Sequence, residues 1–547
     1  MTTEDILNVL IVGAGPVGLA LALDLGRRGV RSTIIERNAA VSGEIAAKAS
    51  VINERTMEFC RLVGIRDEVV NSGFPADLPG DTVFCTSFNG KLIGRLSMPS
   101  AKDRELPTQC CETLQRCPQF LFDPILARAV LQRGVADIRY GIELLGCEQD
   151  ETGVRCFVKH TQDGTEETIR ARYVVGCDGP SSTVRKAVGV SFDGKNLGYT
   201  ISSIIRIKDL IHQHKLGSAE SFLFIGPEGT WGNFTTIDGR SLWRFSLVGL
   251  GDNIEIADIN MDALVRKALG RDDIEYEILK VNKWRRSQFT AEKYSQGRFF
   301  LAGDAAHTMS PTGGHGLNTG IGDVMDLSWI LHALLEGWGG PGLIEAYNTE
   351  RRPIAIRNGA DSTRNFSIWI YRQGRDKVLD DGPEADDQRR VLGEKMTSTL
   401  REEFQALGLA LGYNYADSPI IVPDGSPAPP DEPSTYVQTA RPGHRAPHCW
   451  LKYGTSTIDL FASGDFVLLC FGAEESSDEK IEEAAAKVGL PLRRVSIMET
   501  EAKKLYGHRL VLVRPDGMVA WRGDSLPDSA GALHDRVRGA TKLANGF

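Results

Sequence analysis

The sequence lacks the cysteine patterns that bind metals or staple small secreted folds. It contains 10 cysteines and no C-x-x-C pair, and they stand at positions 60, 85, 110, 111, 117, 147, 156, 177, 449 and 470. These spacings suit neither a zinc site nor a small disulfide framework. We therefore predict free thiols in a reducing cytosol and no metal site.

The sequence also lacks the features of membrane, secreted and nucleic-acid-binding proteins. It has no run of about 18 apolar residues, which a bilayer span requires, and its first residues, MTTED, carry acids where a signal peptide carries lysine or arginine. The net charge of -9 comes without a basic stripe, which argues against a nucleic-acid partner. Because 547 residues exceed a single core, we expect a cytoplasmic protein of two or three domains.

What the sequence does contain is a glycine-rich turn near its N-terminus. Residues 8–37 read NVLIVGAGPVGLALALDLGRRGVRSTIIER, with a short strand at Val9–Val12, a helix at Leu19–Arg28 and a second strand that ends at Glu36. The G-x-G-x-x-G spacing allows a tight turn, close approach of backbone to a pyrophosphate and close packing of helix on strand. The helix N-terminus favours phosphate groups.

This segment predicts dinucleotide binding, although the motif alone does not separate FAD from NAD. Glu36 stands near the spacing at which an acid binds a ribose hydroxyl, and Arg37 is either an adenine contact or a surface residue. The predicted binding residues are Gly13, Gly15, Pro16, Val17, Gly18, Glu36 and Arg37.

Two later stretches point to FAD. Residues 171–194, ARYVVGCDGPSSTVRKAVGVSFDG, predict a strand that ends at Asp178-Gly179 and a helix capped by Ser181 or Ser182. Residues 300–331, FLAGDAAHTMSPTGGHGLNTGIGDVMDLSWIL, place Gly303-Asp304 after a strand and a glycine-rich loop before a helix. With residues 13–15 and YNTERRP at 347–353, these stretches resemble the fingerprints of the FAD-dependent aromatic hydroxylases, the single-component flavoprotein monooxygenases.

The resemblance implies roles for the residues of the third stretch. Asp304, after Gly303, is expected to bind the ribityl chain of non-covalent FAD, and Pro311 is expected beside the flavin ring, near the face that reacts with oxygen. Free N–H groups of the following helix would stabilise negative charge on the flavin. The loop residues expected to contact flavin are Pro311, Gly313, Gly314, Gly316, Leu317 and Asn318. His315 is a candidate catalytic residue as well, whereas His307 is interpreted as structural.

Three further positions match the family pattern less fully. Residues 47–65 match its R-A-x-x-x-x-x-R-T-x-E segment at Arg55, Thr56 and Glu58, but Lys48 replaces the first arginine and is either a FAD contact or a solvated lysine. Gln119 either takes the place of a glutamine that binds the flavin chain or is an exposed glutamine. Asp178, which belongs to the stretch of residues 171–194, is a further expected cofactor residue.

The predicted fold class is α/β, with a Rossmann-like FAD-binding domain, an inserted β-sheet substrate domain and a C-terminal thioredoxin-like domain. The FAD-binding domain takes residues 1–80, 106–195 and 286–375, and the substrate domain takes 81–105 and 196–285, where short strands such as SLWRFSLVG alternate in polarity. Guesses at polar pocket residues there are Tyr199, Asn233, Thr235 and Arg244.

The remaining chain is divided into a linker and a small domain. Residues 376–439 predict a helix and an extended, surface-lying proline-rich linker, and residues 440–547 alternate strands with helices. The latter resemble the thioredoxin-like domain of the phenol hydroxylase and hydroxyphenylpropionate hydroxylase subgroup. Because thioredoxin chemistry needs C-x-x-C, we expect a structural or oligomeric role, with a homodimer as one possibility.

The resemblance implies hydroxylation of a phenolic ring with FAD, NADH or NADPH, and O₂ through a flavin C4a-hydroperoxide. A small phenol, resorcinol, catechol or hydroxyphenyl acid from aromatic catabolism is the expected substrate, and an uncharged one is favoured because no arginine pair for a carboxylate is evident. Open alternatives are a polyketide-tailoring hydroxylase or epoxidase of the same fold, and a non-catalytic flavin-binding protein. A flavin halogenase is disfavoured because W-x-W-x-I-P is absent.

Overall fold

The protein is described by a computed structural model that covers residues 6–41, 45, 48–250, 254–472, 479–527 and 529–541. Its strands are β1 (Leu7–Val12), β2 (Ser32–Glu36), β3 (Val51–Ile52), β4 (Thr82–Cys85), β5 (Leu92–Leu96), β6 (Gln115–Arg116), β7 (Ala136–Tyr140), β8 (Ile142–Gln149), β9 (Val154–His160), β10 (Glu166–Gly176), β11 (Phe192–Arg206), β12 (Ser221–Gly226), β13 (Gly229–Thr236), β14 (Leu242–Leu250), β15 (Glu277–Ala291), β16 (Ser295–Gln296), β17 (Phe299–Leu301), β18 (His307–Thr308), β19 (Phe466–Phe471), β20 (Leu492–Ile497), β21 (Leu510–Val513) and β22 (Val519–Gly523). Its helices are α1 (Pro16–Arg27), α2 (Glu54–Leu62), α3 (Arg66–Val70), α4 (Gln119–Arg133), α5 (Thr183–Ala187), α6 (Met261–Leu269), α7 (His315–Glu336), α8 (Gly342–Trp369), α9 (Pro383–Phe404), α10 (Leu407–Leu411), α11 (Glu479–Lys487), α12 (Thr500–Tyr506) and α13 (Ala530–Val537). None of these helices is long and apolar enough to cross a membrane.

The first sheet carries the N-terminal glycine turn. Its main path runs β16-β17-β10-β1-β2-β7. In addition, β9 pairs with β10, and β8 pairs with β9. β1 pairs in parallel with both β10 and β2, and Val9–Val12 are buried, as a continuous apolar run in a central parallel strand requires. The helix α1 begins at Pro16, three residues before the predicted start, because proline suits the first turn of a helix.

The second sheet contains all the strands predicted for the inserted segments. Its order is β18-β15-β11-β14-β13-β12-β4-β5. On β14, Trp243 and Phe245 enter an apolar core with Phe222 and Phe234, while Arg244 on the other face lines a cavity. The period-two pattern of this strand therefore predicted its faces correctly. The two sheets confirm the α/β class with an inserted β-sheet, while the exact domain boundaries stay a prediction.

The segment between the main body and the C-terminal domain differs from the expected linker. The acidic stretch DDGPEADDQRR, residues 380–390, overlaps the start of α9. This helix runs for 22 residues from Pro383 to Phe404. The proline-rich stretch has no regular element, but Ile420 and Ile421 within it are fully buried. The expectation of a surface linker was wrong there, because these side chains join the main apolar core and Val422 N–H donates to the Ala520 carbonyl.

The C-terminal domain is a four-stranded sheet, ordered β20-β19-β21-β22, that docks on the FAD-binding body through buried charges. Arg445 donates to Glu58 on α2, and Arg514 pairs with Glu350 on α8. Arg55 on α2 donates to the Asp516 carbonyl at 2.8 Å. All 10 cysteines are free thiols.

Candidate functional site

A cavity of about 1160 Å³ lies between the first sheet and the roof formed by the second sheet. Segments far apart in sequence line it: the glycine turn after β1, the loop before α7, the polar face of β13 and β14, and the end of α9. The cavity therefore connects the predicted cofactor residues with the predicted substrate sheet.

The glycine turn leaves space where a phosphate would approach. Gly13 has φ +108°, and a Cβ there would lie 2.4 Å from the Cys177 carbonyl oxygen. A Cβ on Gly18 would lie 2.1 Å from the Gly13 carbonyl oxygen. Helix α1 can therefore pack this closely against the turn only because residue 18 has no side chain. A Cβ on Gly15 would meet nothing within 4 Å. Pro16 and Val17 line the cavity beside Gly15.

Asp304 presents a carboxylate to the cavity. Asp304 is exposed where it lines the cavity, and desolvation by the surrounding protein raises its pKa, with His307 and Lys48 acting in the opposite direction. Gly303 precedes it at φ +60°, and Val17 packs against that glycine so closely that a Cβ would lie 2.8 Å away. The structure thus brings the glycine turn of residues 13–18 close to Gly303 and Asp304, and Lys48 lines the same cavity.

The loop before α7 supplies backbone donors. Gly314 caps the helix in the left-handed conformation, without a side-chain hydrogen bond to the first turn and without an acid there. The amide of Asn318 is used structurally, because it donates to the carbonyls of Val51 and Gly314 and accepts from Asn53 N–H. The helix N-terminus therefore faces the cavity with a partial positive charge. Loop residues lining the cavity include Pro311, Gly313, Gly314, His315, Gly316, Leu317 and Asn318.

These features fit FAD. The open space at Gly15 suits a pyrophosphate, the Asp304 carboxylate suits ribityl hydroxyls, and the free helix N-terminus suits the electron-rich end of a flavin. The assignment of each residue to a part of FAD stays a proposal.

Both histidines of this region are bound to aspartates. His315 shares a 3.1 Å hydrogen bond with Asp361 and is 6% exposed at the cavity wall. His307 shares a 2.9 Å hydrogen bond with Asp323, which also accepts from Arg351 and from Gly303 N–H. His307 is buried away from the cavity lining, a placement that suits the structural role predicted for it.

The other predicted cofactor residues are divided between the cavity and its surroundings. Gln119 lines the cavity and donates to Asp123 at 3.0 Å. Glu36 accepts from Ala14 N–H within the glycine turn and Arg37 is exposed, and neither lines the cavity. Asp178 accepts from the first N–H groups of α5, where Ser182 is the N-cap. It does not line the cavity either.

The structure places the four residues expected in the substrate pocket differently, and their contact with a substrate stays a prediction. Asn233, Thr235 and Arg244 line the cavity, with Thr235 directly opposite Arg244 in the β13–β14 pair. Tyr199 does not line the cavity, and its ring contacts the Lys283 ammonium group at 4.5 Å.

No arginine pair for a carboxylate was evident in the sequence, but arginines from distant segments line the same cavity. Folding brings Arg104, Arg116 and Arg244 together at the cavity wall from three segments, a proximity that linear spacing does not reveal.

A buried acid that the sequence analysis missed lies beside the flavin loop. Glu403, at the end of α9, accepts from Gly313 N–H at 3.2 Å and from the Trp369 indole at 2.8 Å. Burial raises the pKa of this carboxyl to about 7. It occurs in the helix predicted between the FAD-binding domain and the proline-rich linker, and no local motif marks it.

Comparisons with known proteins agree with this arrangement. Residues 7–361 match the FAD binding domain family and residues 439–540 match the aromatic-ring hydroxylase C-terminal domain. The 2,4-dichlorophenol 6-monooxygenase of Delftia acidovorans is 31% identical, over 98% of this chain and 97% of that protein. Aklavinone 12-hydroxylase RdmE of Streptomyces purpurascens is 31% identical, over 97% and 98%. The structure of the rebeccamycin biosynthetic enzyme RebC with reduced flavin superposes with a TM-score of 0.89 at 36% identity, over 98% of this chain and 100% of that one.

The family matches cover both the FAD-binding body and the small C-terminal domain, and full-length relatives share the whole architecture. This chain therefore belongs to the FAD-dependent aromatic-ring hydroxylases, the single-component flavoprotein monooxygenases.

Proposed function

We propose that this protein hydroxylates a phenolic ring with dioxygen and NADH or NADPH as co-substrates. The observation that carries the proposal is the single cavity that joins Gly15 and Asp304 to the polar roof residues Asn233, Thr235 and Arg244. A ring held against the roof would lie next to the loop at Pro311. The arrangement gives the cofactor and the substrate one shared chamber.

The chain contributes binding, orientation and exclusion of water. When bound, FAD supplies electron transfer from the nicotinamide and activation of dioxygen. Asp304 and the N-terminus of α7 would hold it, with Lys48 and Gln119 at the wall. The eight-stranded sheet forms the roof of the chamber, and solvent displaced from this space by the bound cofactor and substrate would be kept from oxygen-reactive chemistry.

A second candidate is tailoring hydroxylation of a polycyclic aromatic. It is favoured by the names of two similar proteins, aklavinone 12-hydroxylase and a rebeccamycin biosynthetic enzyme. Both candidates use the same chemistry and differ in the size of the ring system.

The first prediction separates these functions from non-catalytic flavin binding. Oxidation of NADH and NADPH should be slow without an aromatic substrate and should accelerate with one member of a panel of phenols, naphthols and hydroxyanthraquinones. Absorbance at the nicotinamide band measures the rate, and chromatography measures the hydroxylated product. A panel that leaves the rate unchanged contradicts the enzymatic proposal.

We predict that Glu403 is the group that sets the pH dependence of turnover. Because its pKa is about 7, the carboxylate forms as pH rises from 6 to 8 and becomes the stronger acceptor for Gly313 N–H and for a phenolic proton. Turnover of the wild-type enzyme should therefore rise through this interval. Glu403→Gln should lower kcat by roughly 100-fold or more, the usual size of acid–base effects, and should flatten the profile.

Glu394→Gln serves as the matched control, since Glu394 lies on the same helix and its side chain is 67% exposed. An unchanged pH profile in Glu403→Gln would remove Glu403 from the proposed mechanism.

A further inference from the structure

Arg244 is a cavity residue whose charge has no bonded counterion. Its Nε is buried without a hydrogen-bond partner, and among the described residues its guanidinium group forms neither a hydrogen bond nor an ion pair. Burial and the nearby Arg116 charge lower its pKa, yet arginine stays protonated in proteins. Arg244 is half-buried at the cavity wall, and a desolvated cation without a bonded partner is costly, so an anion that enters the cavity would gain from pairing with it.

The nearest carboxylate is already engaged. Glu220 forms an ion pair with Arg116, whose other nitrogen donates to Ser50 at 3.0 Å. Arg104 and Arg244 also stabilise the Glu220 anion from further away. The negative charge of Glu220 thus stabilises three guanidinium groups, and the charge of Glu54 stabilises that of Arg104. Arg244 is left facing the cavity.

The wall around Arg244 is built for a polar group. Thr235 lies opposite Arg244 across the strand pair, and Ser221 lies opposite Thr235 on the next strand. The Thr235 hydroxyl accepts from the Asn233 amide at 3.0 Å and lies 3.3 Å from the Ser221 hydroxyl. Arg286, which is 4% exposed, adds a further nearby cation whose Nε also lacks a partner.

We propose that the aromatic substrate carries a carboxylate and that Arg244 binds this carboxylate at the roof. A planar guanidinium binds a carboxylate through two parallel hydrogen bonds, with the hydroxyl groups of Thr235 and Ser221 beside it. The ring would then extend from the roof towards Pro311. This inference rests on the proposed function only in calling the bound molecule a substrate, because binding of its carboxylate does not depend on turnover.

The test measures binding to the FAD-loaded enzyme without NADH or NADPH. The probes are three matched acid and carboxamide pairs: para-hydroxyphenylacetate, hydroxynaphthoate and hydroxyanthracene carboxylate, each with its amide. Calorimetry and perturbation of the flavin absorbance report affinity. For the ring size that binds, the acid should bind about tenfold or more tighter than the amide, as a charge-assisted pair predicts.

The variants assign that preference to one side chain. Arg244→Met should abolish the difference between acid and amide, and Arg244→Lys should retain part of it, because lysine keeps the charge and loses the fork. Arg206→Met is the control, since Arg206 lies on the neighbouring β11 and its side chain is 52% exposed. It should leave the preference unchanged.

The proposal is overturned if no acid binds, if acids and amides bind equally at every ring size, or if Arg244→Met keeps the preference. Should Arg244→Met fail to fold, the wild-type comparison and Arg244→Lys decide the question. An enzyme that prefers acids through Arg244 but hydroxylates none of them contradicts the proposed function and leaves the binding site standing.

Discussion

Replacing Arg445 by methionine is expected to lower stability by about 3–5 kcal/mol, because it leaves a buried carboxylate without its main partner. Arg445 is 1% exposed and Glu58 is fully buried, and burial penalises the Glu58 anion while Arg445 and Arg55 lower its pKa. Arg445 also donates to the Tyr436 hydroxyl at 3.2 Å. Methionine has similar length but no donor.

The effect should extend to the cofactor. Glu58 lies on α2, whose N-cap Asn53 is bonded to Asn318 at the start of α7. Urea unfolding followed by circular dichroism measures stability, and FAD fluorescence in the filtrate measures cofactor loss. Arg155→Met is the control, because its ion pair with Glu148 is exposed and exposed pairs contribute about 1 kcal/mol or less. Equal urea midpoints for Arg445→Met and the wild type would show that this contact does not hold the C-terminal domain in place.

Replacing Asp304 by alanine is expected to weaken FAD binding by about 10- to 150-fold. A hydrogen bond to a charged group contributes about 1.5–3 kcal/mol, and each 1.4 kcal/mol is a factor of about ten. The Asp304 carboxylate faces the cavity near the glycine turn of residues 13–18. Removing this carboxylate therefore removes a hydrogen-bond acceptor without disturbing the packing around Gly303. Titration of the apoprotein with FAD, followed by quenching of flavin fluorescence, gives the dissociation constant.

Asp304→Asn should bind FAD more tightly than Asp304→Ala, because the amide keeps an acceptor oxygen. Asp163→Ala, at an exposed turn, is the control and should match the wild type. If both Asp304 variants bind FAD as the wild type does, Asp304 does not contact the cofactor.

The features that sequence predicted well are local ones. The strand, glycine turn and helix around Gly13 follow from short-range sterics, and the alternation along β14 follows from the two faces of a strand. In the same way, the cavity position of Asp304 follows from its place at the end of β17. Each of these depends on residues within one or two elements.

The features that sequence missed depend on long-range packing. Arg445 and Glu58 are 387 positions apart, and Gly313 and Glu403 are 90 apart. No spacing rule relates such pairs, since their proximity is set by how whole domains dock.

The central claim, monooxygenation of an aromatic ring in the cavity, is tested most directly by turnover under isotopically labelled dioxygen. With the substrate found in the panel, mass spectrometry should show one labelled atom in the ring hydroxyl and the other in water, with one NADH or NADPH consumed for each product formed. Incorporation of oxygen from unlabelled water, or release of all the consumed dioxygen as hydrogen peroxide with every phenol, would contradict the account.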